Sequence, residues 1–421
     1  MTTQTLSSMP RASSSQRITT GASMLIIGMV MFLLFASGTQ PGQVATFGMN
    51  AGGSALSIPD LVVPVQPALY AVIMVTVFAG AWQMARGGAR STGWLVAIVA
   101  FCFVAAFLIW ATNSQSFNLV GMLSSTLSRA TPIALAALCG VISERTAVIN
   151  IGIEGIMLIS AQVAVMSASM THSLWVGLIA ALLCGALIGA AHAVLVIRFK
   201  VDQIVSGVAI NIFGVGVTSF VAQRYLETNV DLLNNSGTFK IIAIPVLSKI
   251  PILGPILFEN SPIVYAMLLV VIVLHVVLFY TPWGLRTRAV GEHPKAADTL
   301  GVNVFLMRYV NVIIGGMIAG LGGAYFTLGA VGRFDQNMTA GKGFIGLAAM
   351  IFGKWNPIGA FLSSLLFGFA DSLQIKMQIM NVPIPSSFLA MAPYIVTMVV
   401  LTGIVGRAIA PAADGASYEK Q

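Results

Sequence analysis

Residues 284–302 read GLRTRAVGEHPKAADTLGV and gather Arg286, Arg288, Glu292, His293, Lys295 and Asp298 into one short span. Only 8% of the 421 residues are Asp, Glu, Lys or Arg, so this concentration of charge stands apart. A second polar motif, SERTAVINIGIEGIML at 143–158, sets Asn150 and Glu154 inside an apolar run. The chemistry open to these groups is recognition, because the patterns of covalent catalysis are missing. AGKGF at 340–344 and FGKW at 352–355 lack the glycine spacing of a phosphate-binding loop. There is no HExxH, no nucleophile elbow and no carboxylate pair flanking a cleft, so no catalytic residue and no metal ligand is expected. Cys102, Cys139 and Cys184 fall in apolar runs without metal spacing and read as small buried hydrophobes. A chain of this kind that moves a solute against a gradient must draw its energy from an ion or a partner.

The elements that position these motifs are membrane spans. The chain is 57% hydrophobic with a mean hydropathy of +0.92, whereas a soluble domain carries roughly a quarter charged residues. Uncharged windows such as 263–281 and 309–331 are long enough to cross a hydrocarbon core of about 30 Å as helices. The fold class is therefore all-α, a polytopic transmembrane helical bundle of about 12 spans, range 10–12, with a short cytoplasmic helix. The spans are expected at 22–36, 67–83, 94–111, 119–142, 147–170, 174–197, 204–222, 262–281, 309–331, 344–352, 358–373 and 388–405. The stretch 344–352 is too short to span unaided and is either extended by its flanks or re-entrant. FASGTQPG, after the first apolar run, is a poor signal-peptide cleavage site, so that run is expected to stay as a helix. Gly185/Gly189 and Gly316/Gly320 have the small-xxx-small spacing of close helix contacts.

Lys and Arg give the orientation. With the N-terminus inside, fourteen of the 21 fall in inner connections, from Arg11 and Arg17 to Arg407 and Lys420, and six in outer ones, among them Lys342 and Lys376. Both termini and the 284–302 stretch then face the cytoplasm. The Pro/Gly-rich loops at 38–64 and 223–261 face outward, the second as an ordered segment without a span, since its prolines break helices. The formal net charge of +8 follows from this loop bias. No basic run with interleaved aromatics accompanies it, so no nucleic-acid partner is expected.

Within 284–302, Pro294 suits the first position of a helix, Glu292 lies at its favourable N-terminal end, and Gly301 ends it after Leu300. Two turns this polar do not embed in lipid. A plain topological anchor needs only the two arginines; the capped helix asks for a docking partner. Glu154 leaves two readings open. With a helix from 147 it sits about two turns, or roughly 10 Å, inside, either as a functional group of the path or as part of a hydrogen-bonded junction with Asn150 and Gly152. Arg129, near the outer end of its span, reads as a snorkelling side chain, with a substrate contact as the lesser alternative; Asp371 reads as a lone packed, hydrogen-bonded carboxylate in preference to a coupling-ion ligand, and His192 and His275 as helix-packing donors.

NIGIEG at the start of a span and GLRTRAVGEHPKAADTLGV before a Gly-rich one resemble the inner-membrane permeases of bacterial ABC importers. ATPIALAALCGVISERTAVINIGIEG at 130–155, GGMIAGLGGAYF at 315–326 and GKGFIGLAAMIFGKWNPIGA at 341–360 extend the likeness over about 119–405. The branch is that of ribose, simple-sugar, branched-chain and nucleoside permeases, and SERTAVINIGIEG is most similar to the second permease of nucleoside-type systems. The resemblance implies a division into an N-terminal extension at 1–118 with about three spans, a permease core at 119–406 and a cytoplasmic tail at 407–421. It makes 284–302 a coupling helix seated on the ATP-binding subunit, through Gly284, Arg286, Arg288, Gly291, Glu292, Pro294, Ala296, Ala297 and Gly301. Asn150, Glu154 and Asn211 are the candidates for the translocation path. The implied partners are a cytoplasmic ATP-binding subunit that holds ATP and Mg, a second permease (sister chain or second copy), a periplasmic or lipid-anchored solute-binding protein, and membrane lipids. No cofactor is expected in this chain itself. The implied cargo is a small polar solute, a nucleoside first and a simple sugar next, carried across a bacterial inner membrane.

An ion-coupled secondary transporter is the rival reading. It would need paired intramembrane acids or helices broken at matching places in two halves, and Glu154 and Asp371 do not stand at corresponding positions. A non-transporting membrane anchor would leave the docking helix without a use.

Overall fold

A computed structural model of the protein describes residues 14–50, 58–86, 89–380, 382, 384–385, 387–388, 391 and 408–420. Apart from residues 388 and 391, the expected span at 388–405 lies outside the described residues, as do Arg11 and Arg407. The chain divides into two compact units, one of residues 1–121 with 379–383, the other of residues 122–378 with 384–421.

The first unit holds α1 (Ser14–Met31), α2 (Val65–Arg86) and α3 (Ala89–Ala111). Its connections form a small sheet, absent from the all-helical expectation, of β1 (Val44–Gly48), β2 (Leu61–Pro64) and β3 (Ser116–Asn118). β1 is antiparallel to β2 and parallel to β3. Extended backbone in these Gly- and Pro-rich loops satisfies its own polar groups by pairing.

α4 (Leu119–Glu144) leads into the second unit, which continues with α5 (Ile153–Thr171), α6 (Leu174–Ala193) and α7 (Gln203–Val221). The segment before the next span breaks into α8 (Val230–Leu233), β4 (Ile242–Ala243), α9 (Leu253–Leu257) and β5 (Glu259–Asn260), with no spanning helix. Then come α10 (Pro262–Tyr280), α11 (Pro282–Glu292), α12 (Pro294–Thr299), α13 (Val304–Ala324), α14 (Lys342–Phe352) and α15 (Pro357–Ile379). α4, α5 and α13 are the most enclosed spans of this unit, while only about a third of the residues of α6, α7, α10 and α15 are buried, as in helices with a lipid-facing side. The two glycine pairs meet across the α6–α13 seam: a methyl group on Gly185 would run into the carbonyl oxygen of Gly316, and one on Gly320 into that of Ala181. Backbone contact this close needs side chains no larger than hydrogen.

Among the described residues, ten helices are long and apolar enough to cross a membrane. The other two expected spans are α14, with 11 residues, and the stretch at 388–405. Among the boundaries that differ from expectation, two bear on the polar motifs. α5 begins at Ile153, six residues later than the expected start at 147, because Ala147 takes a left-handed φ of 62° and the backbone runs unwound to Gly152. Glu154 therefore stands in the first turn of α5, not two turns in. The polar stretch near 290 is two helices, since Thr281 and Pro282 start a helix before the expected one: the Gly284 N–H donates to Thr281 Oγ1 at 3.3 Å.

Candidate functional site

At one end of the second unit, α11 and α12 form a small polar platform. Thr287, fully buried, receives a hydrogen bond from Asn311 Nδ2 of α13 at 3.1 Å, and Trp283 Nε1 donates to Asn311 Oδ1 at 3.2 Å. One side chain of α13 thus holds two successive turns on one face of α11. α12 follows after His293, whose Nδ1 accepts from the Ala296 N–H at 3.3 Å. It ends at Gly301, whose φ of +84° is left-handed, with the Val302 N–H returned to the Ala297 carbonyl at 3.0 Å. The expected first-position proline and terminating glycine are seen at this helix, while its cap is His293.

The platform sorts the nine expected coupling residues into two groups. Gly284, Gly291 and Ala297 are buried, and Pro294 is half-buried. Glycine is required at 284 and 291, where a side chain would strike the Leu278 and Arg145 carbonyls. Arg288 turns inward, its guanidinium 5.1 Å from the Phe279 ring centre. Arg286, Glu292, Ala296 and Gly301 are exposed. Beside them stand Leu285 and Leu300, 62% and 85% exposed. Sequence reasoning missed these two leucines; the signal was an apolar residue on the wrong face of an otherwise polar helix.

Glu292 differs from expectation. It is the last residue of α11, and its Oε2 accepts from the Ala412 N–H at 3.2 Å, so it holds the C-terminal segment and does not cap α12. That segment covers the platform's inner side. The Ala413 N–H donates to the Gly291 carbonyl at 3.0 Å, Arg308 Nη1 donates to the Ala416 carbonyl at 3.0 Å, and Lys200 pairs with Glu419. Tyr418 is buried among Val290, Ala297, Val304 and Met307, with the Phe305 ring 5.3 Å away. Burial pushes the Asp414 carboxyl up to about 6.

Next to the platform, Arg145 Nε donates to the Trp355 carbonyl at 2.9 Å, and Trp355 Nε1 donates to Glu144 Oε2 at 2.6 Å. Arg145 lies 5.8 Å from the centre of the same Phe279 ring that Arg288 covers. Burial lowers the Arg145 guanidinium from its ordinary value; nearby Glu292 raises it and Arg288 lowers it.

The three expected path residues surround the unwound turn before α5. Asn150 Oδ1 accepts from the Gly152 N–H at 3.1 Å, and Asn211 of α7 accepts from the Gly155 N–H at 2.8 Å while donating to the Ile151 carbonyl at 3.0 Å. Gln203 and His192 complete the turn: Gln203 Oε1 accepts from the Ile149 N–H at 2.6 Å, and His192 Nε2 lies 3.0 Å from the Ile149 carbonyl. The N–H groups of Ile149 and Gly152 and the carbonyls of Ile149 and Ile151 thus find side-chain partners, as burial in a bilayer favours. His275 departs from its expected donor role: its ring packs against Phe279 and Tyr280, and Nδ1 finds no hydrogen-bond partner among the described residues.

Glu154 reaches across to α14. Its Oε1 accepts from Thr339 Oγ1 at 2.6 Å and from the Gly341 N–H at 2.8 Å, and its Oε2 accepts from the Gly343 N–H at 2.6 Å. A carboxylate so placed meets the positive end of the α14 dipole and two of its free N–H groups. Asn150 Nδ2 also donates to Cys139 Sγ at 3.7 Å, so the Asn150 and Glu154 side chains make five hydrogen bonds to protein groups, and both are buried.

The family described as "Branched-chain amino acid transport system / permease component" matches residues 122–406. The guanosine ABC transporter permease protein NupQ of Bacillus subtilis is 44% identical over 70% of this chain and 95% of its own. The nucleoside ABC transporter permease protein NupC of Lactococcus lactis is 42% identical over 71% of this chain and 96% of its own. A putative glucose ABC transporter permease protein, TsgC13 of Haloferax volcanii, is 36% identical over 61% and 78%. No solved structure matches the chain significantly. The match over about two thirds of the sequence, together with near-complete coverage of the first two relatives, shows that this chain belongs to the branched-chain amino acid transport system permease-component family and is a permease subunit of an ABC transporter, not an enzyme.

Proposed function

We propose that this permease carries nucleosides into the cell. The observation that carries the reading is identity above 40%, over almost the full length of the relatives, to two permeases named for guanosine and for nucleosides. In this reading the exposed face of α11 and α12, with Leu285, Arg286, Ala296 and Leu300, seats a cytoplasmic ATP-binding subunit, and ATP and Mg are bound there. A solute-binding protein delivers the nucleoside on the opposite side, and a second, different permease completes the path. The bacterial inner membrane is the site, with both termini on the cytoplasmic side. The gathering of Arg145, Lys200, Arg288, Arg308 and Lys354 around the platform supports that orientation. Asn150, Asn211 and Glu154 hold the broken entry to α5 and the start of α14 in place beside the path.

The test is uptake of labelled guanosine, adenosine and ribose by cells with and without the gene. Loss of nucleoside uptake on deletion, restored by the intact chain, is the expected result; unchanged nucleoside uptake would sink the reading. The glucose-named relative favours a simple sugar as the second reading. Ribose or glucose uptake lost in place of nucleoside uptake would establish it.

A further inference from the structure

Three ionisable side chains meet inside the membrane, away from the platform. Arg129 Nη1 of α4 lies 3.3 Å from Asp371 Oδ2 of α15, and Lys342 Nζ, at the first residue of α14, lies 3.1 Å from the same oxygen. Asp371 is therefore not a lone carboxylate, Arg129 does not snorkel alone, and Lys342 is not an outer-loop charge. The depth can be read from two helices independently. Arg129 is 15 residues from the Glu144 end of α4 and Asp371 is 14 from the Pro357 end of α15. Both place the cluster about 21–22 Å from the platform end at about 1.5 Å per residue, well within a hydrocarbon core of about 30 Å.

Two features are more than a structural clamp needs. One cation suffices to neutralise one carboxylate, yet this cluster carries two. Both cations lie against Oδ2, no hydrogen bond reaches Asp371 Oδ1 among the described residues, and the Arg129 side chain remains 37% exposed. A charge at this depth does not face acyl chains, so the open side of the cluster faces water, a partner or a passing solute. Lys342 is also held rigidly, because Glu154 binds the backbone N–H groups of Gly341 and Gly343 on either side of it. A planar donor fork and a free acceptor oxygen, fixed at one level of the membrane, match a solute with acceptors on one edge and hydroxyl donors on another.

We propose that Arg129, Lys342 and Asp371 form a solute-contacting site within the membrane. The Arg129 guanidinium donates to the carbonyl or ring-nitrogen edge of a nucleobase, Asp371 Oδ1 accepts from a ribose hydroxyl, and Lys342 holds the carboxylate in place. The inference rests on the nucleoside reading above.

The test is concentration-dependent nucleoside uptake by the complete transporter in cells, with the amount of membrane-inserted chain measured in parallel. The variants are Arg129→Lys, Asp371→Asn and the exchange Arg129→Asp with Asp371→Arg. Arg129→Lys keeps the ion pair but loses the fork. It is expected to raise KM roughly tenfold, as loss of a charge-assisted hydrogen bond does, with maximal rate and chain level unchanged. Asp371→Asn is expected to raise KM for ribonucleosides more than for deoxyribonucleosides. The exchange restores chain level without restoring KM. A wild-type KM in Arg129→Lys with full rescue of uptake by the exchange would reduce the cluster to a clamp and overturn the proposal. If a variant fails to insert, the other decides. Should the intact chain carry no nucleoside at all, the functional reading and this site fall together; nucleoside uptake with unaltered KM in the variants overturns the site alone.

Discussion

Glu154 Oε2 accepts the Gly343 N–H at 2.6 Å, which ties the first turn of α5 to the first turn of α14. Its other oxygen takes Thr339 and Gly341, so three donors converge on one buried carboxylate. Glu154→Gln puts an amide NH2 where an acceptor is required. The expected cost is about 2–3 kcal/mol, the range for hydrogen bonds to charged groups. A fall in the thermal midpoint of the purified transporter checks it, with KM for the solute unchanged in whatever protein inserts. A raised KM at wild-type stability would instead make Glu154 a solute contact.

Ala296 and Ala297 are neighbours with opposite surroundings. Ala296 is exposed, while Ala297 is 3% exposed among Val290, Val304, Met307 and Tyr418. Ala296→Trp or Leu300→Asp should lower ATP-dependent uptake roughly tenfold or more by spoiling a docking face, and should leave chain level intact. Ala297→Leu should act earlier, by overpacking at about 1–3 kcal/mol, and reduce the amount of folded chain. Co-purification with the ATP-binding subunit and quantification of the inserted chain separate the two.

The α6–α13 seam gives a third expectation. Gly185→Leu has no room against the Gly316 backbone, so membrane levels of the chain should drop sharply. Gly216, with open space at its Cβ position, is the control; Gly216→Ala should keep wild-type levels.

The C-terminal segment should respond to pH. Asp414 is held at about 6 by burial, above its ordinary 3.8, with hydrogen bonds to the Gly415 backbone and Glu144 and the charge of Arg308 opposing the rise. A carboxyl raised in the folded state favours its protonated form there. Its contribution to holding the segment is greatest below about pH 4 and is lost as pH rises through about 6. Hydrogen exchange at 411–418 should be slower at pH 5 than at pH 7.5 after correction for intrinsic rates. Asp414→Asn should remove the difference; persistence of the difference would assign it elsewhere.

Much of the spanning pattern was legible because apolar windows and loop arginines report directly on the bilayer. The Pro294 start of α12 and the Gly301 terminator were legible too, since Pro and Gly act locally. Three things were not. The start of α5 depends on partners that unwind it, Gln203, His192 and Asn211, which lie 50 or more residues from the turn or on another helix. The Arg129–Asp371 pair joins positions 242 residues apart, and nothing in either neighbourhood announces the other. The attachment of Glu292 to Ala412 was hidden for the same reason, since a backbone N–H leaves no trace in residue type.

Phe279 serves two guanidiniums, Arg145 from the turn after α4 and Arg288 from α11. Like charges on one ring repel each other, yet each is drawn to the same aromatic surface. Arg145 in turn grips the Lys354 and Trp355 carbonyls that precede α15. A tilt of α11 therefore cannot remain local. It changes the footing of Arg288 on the ring, shifts the balance of repulsion on Arg145, and passes the displacement to the base of α15, the helix that carries Asp371. Phe279 thus joins α11 to the base of α15 through two guanidiniums on one ring.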